Sequence, residues 1–200
     1  MNNVYDVAII GAGIVGTTIA RELTKFKLNI LILEKGSDVA MGATKANSAI
    51  VHGGYAEPNT TLKGRLCYEG RKAFAQLDQE LNFGFKQIGS LVVTRDDDPA
   101  PLEALKKQGE ENGLTDLRIV GQEELQEMEP NLSPDLKWGL YCAGAGVCSP
   151  YKMAIAMAEN ALKNGATLEL ETEVTAIAKE HDHFSIETNR GNHPARYVIN

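Results

Sequence analysis

The sequence predicts an α/β fold built on a parallel β–α–β unit, and three features near its start predict it. A short apolar run, Val7-Ala8-Ile9-Ile10, stops at Gly11. Gly11, Gly13 and Gly16 spell G-x-G-x-x-G, and a helical pattern follows with Ile19, Ala20, Leu23 and Phe26 on one face. A second apolar run, Ile30 to Leu33, ends in Glu34, 23 residues after Gly11. Strand, glycine loop, helix, strand and acid in this order make a Rossmann-like dinucleotide-binding unit.

Each part has a physical task. Gly11 lets the chain turn off the first strand. Gly13 has no side chain, so a pyrophosphate can approach the backbone. Gly16 allows the helix to pack close to the sheet. The N–H groups and positive dipole end of that helix face the phosphates. The Glu34 carboxylate accepts hydrogen bonds from ribose hydroxyls and repels a 2′-phosphate, which disfavours NADP.

Residues 42–54, G-A-T-K-A-N-S-A-I-V-H-G-G, form a segment of small and polar residues bounded by glycines. Thr44, Asn47 and Ser48 are its hydrogen-bonding candidates. Next comes a helical pattern from Thr61 to Leu81, marked by Leu62, Leu66, Phe74 and Leu77. Gln87 to Thr94 reads as a strand. Asp96 to Asp98 with Pro99 and Pro101 read as a loop. Helices follow at Leu102–Glu111, with Asn112-Gly113 as C-cap, and at Glu123–Met128, stopped by Pro130. Trp138 to Cys142 reads as a strand, and A-G-A-G-V after it as a turn and not a second phosphate site. Ser149 and Pro150 open a helix as N-cap and first helical residue. Met153, Met157, Ala161 and Leu162 are its apolar positions, the methionines being core, and Asn164-Gly165 ends it. Strands at Thr167–Leu170, Glu173–Ala178, Phe184–Thr188 and Tyr197–Ile199 complete the pattern.

The 200 residues carry a net charge of −7 and are 43% hydrophobic, enough for a buried core. The negative charge argues against a nucleic-acid partner, since no basic stripe offsets it. Lys63, Arg65, Arg71 and Lys72 cluster, but Glu69 interrupts them, and they read as a solvated helix face. Cys67, Cys142 and Cys148 form no C-x-x-C and fit reduced thiols of a cytoplasmic protein. No metal site is expected from them. No apolar run reaches transmembrane length, which leaves peripheral membrane association compatible with the sequence.

Three stretches resemble the FAD-dependent oxidoreductases of the D-amino-acid oxidase superfamily, and most closely its flavin-linked glycerol-3-phosphate dehydrogenases and oxidases. They are V-A-I-I-G-A-G-I-V-G through Glu34, then G-A-T-K-A-N-S-A-I-V-H-G-G-Y, then G-L-Y-C-A-G-A-G-V-C-S-P-Y-K-M through N-G-A-T-L-E-L-E-T-E-V-T-A-I. The resemblance implies a mostly parallel FAD-binding domain, residues 1–80 and 150–200, interleaved with part of an α+β substrate domain, residues 81–149. It implies FAD contacts by Gly11, Gly13, Gly16, Glu34, Thr44, Asn47 and Ser48, and by a backbone group of Val174 against the adenine. It also implies that further flavin and substrate ligands follow in the family beyond Asn200. The chain therefore reads as an N-terminal fragment of a longer enzyme, expected to bind FAD weakly by itself and to self-associate.

His52 is the candidate for chemistry. Oxidation of an alcohol by flavin moves a hydride from carbon and also releases the hydroxyl proton. A base titrating near neutrality suits that task. Gly53 and Gly54 beside it are expected to leave space for a substrate. A structural role and covalent attachment to flavin stay open for His52. His181, His183 and His193 read as surface residues. The resemblance implies oxidation of a small phosphorylated or carboxylated secondary alcohol. Glycerol 3-phosphate leads. An L-2-hydroxyglutarate-type 2-hydroxyacid follows, then an amine or amino acid. An inactive nucleotide-binding fragment is the non-enzymatic alternative. The electron acceptor, whether oxygen, quinone or an iron–sulfur partner, is left open.

Overall fold

The structure, a computed structural model, describes residues 4–200. The element order is β1 (Tyr5–Ile10), α1 (Ile14–Leu23), β2 (Ile30–Leu33), β3 (Ile50–Val51), α2 (Leu62–Leu81), β4 (Ser90–Thr94), α3 (Ala100–Glu111), β5 (Leu117–Gly121), α4 (Gln122–Met128), β6 (Trp138–Cys142), β7 (Gly146–Val147), α5 (Pro150–Lys163), β8 (Thr167–Glu169), β9 (Val174–Lys179), β10 (Phe184–Thr188) and β11 (Gly191–Ile199). The chain forms two compact units. The first comprises residues 1–48, 81–83 and 149–200, and the second residues 49–80 and 84–148. Residues 49–80, expected with the FAD-binding segments, thus pack with residues 84–148.

The first unit is organised by a six-stranded sheet in the order β8-β2-β1-β11-β10-β9. Strands β8, β2, β1 and β11 are parallel, and β10 and β9 continue antiparallel. The register sets Val7 beside Ile30 and Ile9 beside Ile32, with Ala8 beside Leu31 between them. Side chains alternate across a strand, so this register sorts the apolar residues into two sets. Val7, Ile9, Ile30 and Ile32 pack with Ala20 of α1 and Ala158 and Ala161 of α5. Ala8, Leu31 and Leu33 pack on the other face with Ile186 of β10 and Ala195 of β11. All four positions of β2 are buried, as the continuous I-L-I-L run of a strand covered on both faces requires. The α5 start is as read: Pro150 is its first residue, and the Ser149 hydroxyl accepts from Lys152 N–H at 3.3 Å.

In the second unit a three-stranded antiparallel sheet runs β4-β6-β5. Leu117 and Leu140 pack with Leu102 of α3 and Leu114. Val120 packs with Leu125 of α4 and Leu136. A separate two-stranded ribbon pairs Ile50 with Val147 and Val51 with Gly146.

Several details differ from the sequence reading. Helix α1 ends at Leu23, where the Thr24 hydroxyl donates to Arg21 O, so Phe26 lies beyond it and is 66% exposed. In α2, Leu62 and Leu66 are 63% and 59% exposed. Its buried residue is Gly64, where a Cβ would stand 2.2 Å from Pro58 O. Close backbone approach, not an apolar stripe, seats this helix start. Strand β4 begins at Ser90 and not Gln87, because Lys86 exchanges backbone hydrogen bonds with Val147 and Gly89 turns the chain at φ +78°. Strands β3, β5 and β7 are additions. Arg71 is not on a solvated face: its side chain is 12% exposed and pairs with Asp116 at 3.1 Å. The histidine reading also shifts, since the His193 side chain is only 15% exposed and lies 3.5 Å from a Glu169 carboxylate oxygen.

Candidate functional site

The first unit contains a cleft of about 630 Å³ at the carboxyl ends of β1 and β2. Gly11, Gly13, Glu34, Thr44 and Val174 all line it. Clefts of this size are typical of small-molecule sites. Sequence-distant residues reach the cleft because β1, β2 and β8 end together. Glu34 N–H donates to Glu169 O at 2.9 Å, and Thr172 N–H donates to Glu34 O at 2.8 Å. That backbone pairing brings the start of β9, with Val174, beside the glycine loop.

The loop geometry is specific. Gly11 has φ +100°, a left-handed conformation that favours glycine. A Cβ on Gly16 would stand 2.1 Å from Gly11 O, so Gly16 lies against the loop backbone and does not line the cleft. Gly13 faces the cleft, and its nearest neighbour, Thr44 Oγ1, is 3.2 Å from where a Cβ would be. Helix α1 starts without a side-chain cap from Gly13, its N-cap residue. Thr44 Oγ1 accepts from Ile14 N–H at 3.0 Å instead.

Glu34 is held from both sides. One carboxylate oxygen accepts from Ala12 N–H at 2.7 Å and the other from Gly36 N–H at 2.8 Å. The pinned carboxylate keeps further lone pairs for ribose hydroxyls. Ile10, Leu33, Met41, Ala43 and Val174 add apolar wall. Glycine backbone at a helix N-terminus, a fixed carboxylate acceptor and an apolar wall suit the pyrophosphate, ribose and adenine parts of FAD, so the residues fit that group. Asn47 and Ser48 do not line this cleft. The Asn47 amide donates to Thr44 O at 2.7 Å and Ala43 O at 3.2 Å, so it braces the turn that carries Thr44.

His52 belongs to the second unit, directly after β3. Its Nδ1 accepts from Gly54 N–H at 3.2 Å, and its ring lies 5.3 Å from that of Tyr55. Partial burial lowers the His52 pKa below its ordinary 6.5, the Lys63 charge lowers it further, and Glu57 opposes them. The ring is therefore neutral at pH 7 and able to accept a proton. Gly53 and Gly54 do not leave room for a substrate, contrary to expectation. A Cβ on Gly53 would stand 2.6 Å from Cys142 Sγ, and one on Gly54 would stand 3.0 Å from Tyr68 Cβ. These glycines serve internal packing.

Burial raises the pKa of all three cysteines, so they are protonated thiols and weak nucleophiles at neutral pH. Among the described residues, no three His, Cys, Asp or Glu side chains gather to hold a metal ion. None of the helices there is long and apolar enough to cross a membrane.

Residues 6–200 match the family described as FAD dependent oxidoreductase. The chain is 45% identical to the glycerol 3-phosphate dehydrogenase of Caloramator mitchellensis, over 98% of this chain and 41% of that protein. It is 31% identical to the mitochondrial L-2-hydroxyglutarate dehydrogenase of Homo sapiens, over 92% of this chain and 40% of that protein. The solved structure of dithionite-reduced L-α-glycerophosphate oxidase from Mycoplasma pneumoniae, with FAD bound, superposes with a TM-score of 0.93 at 26% identity, covering 98% of this chain and 53% of that one. The chain spans about two fifths of the length of these curated relatives. The match that runs from residue 6 to residue 200 places this chain in the FAD dependent oxidoreductase family, whose cofactor is FAD.

Proposed function

We propose that the whole protein oxidises glycerol 3-phosphate to dihydroxyacetone phosphate. The observation that carries this reading is the 45% identity, over 98% of this chain, to a glycerol 3-phosphate dehydrogenase. Bound FAD supplies the two-electron acceptor for the hydride that leaves the substrate's carbinol carbon. Gly11, Gly13, Glu34, Thr44 and Val174 hold its ADP part in the cleft of the first unit. Gly16 and Asn47 support the backbone they stand on, and Ser48 is kept as a further FAD contact. His52 takes the hydroxyl proton.

A second reading, L-2-hydroxyglutarate as substrate, is favoured by the 31% identity to its dehydrogenase. Both substrates are anionic secondary alcohols, and both need the same base. Steady-state kcat/KM of the complete enzyme with glycerol 3-phosphate, L-2-hydroxyglutarate and glycine separates the readings. Preference for glycerol 3-phosphate is expected. Preference for L-2-hydroxyglutarate selects the second reading, and turnover of glycine alone overturns both.

The pH dependence follows from the sign of the His52 shift. Because the pKa is lowered, the active neutral ring persists below pH 6.5, and flavin reduction falls only as pH drops through that lower value. Lys63→Met removes a cation beside His52 and leaves Glu57 without its ion-pair partner. Both changes favour the imidazolium. The acid limb of the rate profile is expected to move to higher pH, whereas Glu57→Gln moves it lower. An unmoved limb in both variants shows that these charges do not act on the base.

A further inference from the structure

One side chain in the wall of the cleft differs in chemistry from its neighbours. Met41 lines the cleft with Ile10, Leu33, Ala43 and Val174, and it alone among them carries a polarisable thioether. The main chain just before it is tied to the glycine loop, since Ala40 N–H donates to Ala12 O at 2.9 Å. Its side chain lies against Gly36, where a Cβ would stand 3.2 Å from Met41 Cγ. The residue is thus fixed at the cleft from both sides.

The sulfur end is open. Met41 is 41% exposed, whereas Met153 and Met157 in α5 are 7% and 0% exposed. Met128 is partly buried, and Arg118 Nη2 stands 3.8 Å from its sulfur. Of the methionines among the described residues, Met41 is therefore the most open to a dissolved oxidant. Lys45 Nζ donates to Met41 Sδ at 3.5 Å. A thioether is a weak acceptor. A sulfoxide oxygen on the same sulfur is a stronger one, so the same ammonium would hold the oxidised side chain at the rim, off the apolar wall.

We infer that Met41 is a modification site at the FAD cleft: hydrogen peroxide converts its thioether to the sulfoxide, and the sulfoxide form releases FAD. A sulfur lone pair takes the outer oxygen of the peroxide as the O–O bond breaks. The departing hydroxide takes the proton left on the transferred oxygen and becomes water. Sulfur is oxidised by two electrons and the peroxide is reduced. The product is polar and chiral where the wall was apolar, and methionine sulfoxide reductases reverse the change. FAD seated on the wall covers the sulfur, so cofactor and oxidant compete for one side chain. The inference rests on the cleft being the place that holds the ADP part of FAD.

The test treats the complete flavoprotein with hydrogen peroxide, with and without excess FAD. Peptide masses report the oxygen gained at each methionine, and flavin fluorescence on dilution reports FAD release. Neither readout needs turnover. Met41 is expected to oxidise ahead of Met128, Met153 and Met157, and excess FAD is expected to slow Met41 alone. The FAD Kd of the oxidised protein is expected to rise about 10-fold, as when one apolar side chain is lost from a buried contact. Met41→Gln, with a polar amide in place of the sulfoxide, is expected to show the weaker binding without peroxide. Met41→Leu keeps the apolar wall and has no sulfur, so it is expected to bind FAD normally and to keep it through the same treatment. Met41 left unoxidised while Met128 reacts overturns the inference. So does a Met41→Leu protein that loses FAD to peroxide as readily as the wild type. Gly13→Val separates this result from the reading of the cleft. If that variant stays yellow, the cleft and the inference fall together. If it is colourless and Met41→Gln binds FAD at the normal Kd, the cleft stands and the role of Met41 falls.

Discussion

His52→Ala in the complete enzyme is expected to slow flavin reduction by roughly 10²–10⁴-fold, the usual cost of losing a general base. A secondary alcohol is a very weak acid, so its carbon cannot give up hydride readily while the proton remains on oxygen. A neutral imidazole answers that need, and partial burial together with Lys63 keeps it neutral. The flavin is expected to stay bound, because His52 is not among the residues that line the cleft. Stopped-flow mixing without oxygen reads the rate directly. An unchanged rate returns His52 to a structural role, and loss of flavin with the activity assigns it to the cofactor.

Gly13→Val is expected to abolish flavin retention. A Cβ at this position stands 3.2 Å from Thr44 Oγ1 and faces the cleft. Valine adds two methyl groups beyond that Cβ, in the space where a pyrophosphate approaches the N-terminus of α1. It also crowds the hydroxyl that accepts from Ile14 N–H. Absorbance of the purified complete protein, with circular dichroism to confirm the fold, checks the outcome. A folded variant that stays yellow at normal stoichiometry removes the phosphate role from Gly13.

The β–α–β unit was legible because its signals are local. An apolar run covered on both faces, three glycines at fixed spacing and an acid at the next strand end each declare themselves within a few residues. The gathering of Val174 with Gly13 was read from family resemblance, since only the pairing of β8 with β2 brings them together. Strand β5 has no local signal because L-R-I-V-G is short, and its pairing with β6 is not written in either segment. Leu62 and Leu66 misled because an apolar residue at helical spacing need not face a core, and the helix start is seated by Gly64. Gly53 and Gly54 suggest open space by residue type, but Cys142, Tyr55 and Tyr68 fill it. Asn112 was read as a helix cap, which it is. Its side-chain bonds to Gly54, Glu57 and Asn59 reach residues more than fifty positions away and have no local signal.

Single-turnover reduction with glycerol 3-phosphate deuterated at its central carbon tests the proposed reaction most directly. The complete enzyme is mixed without oxygen, and the yellow flavin absorbance is followed. The expected result is bleaching at a rate slowed by the deuterium, since the bond broken is the one that delivers hydride to the bound FAD. Flavin that stays oxidised in the presence of this alcohol, yet bleaches with an amino acid, would contradict it.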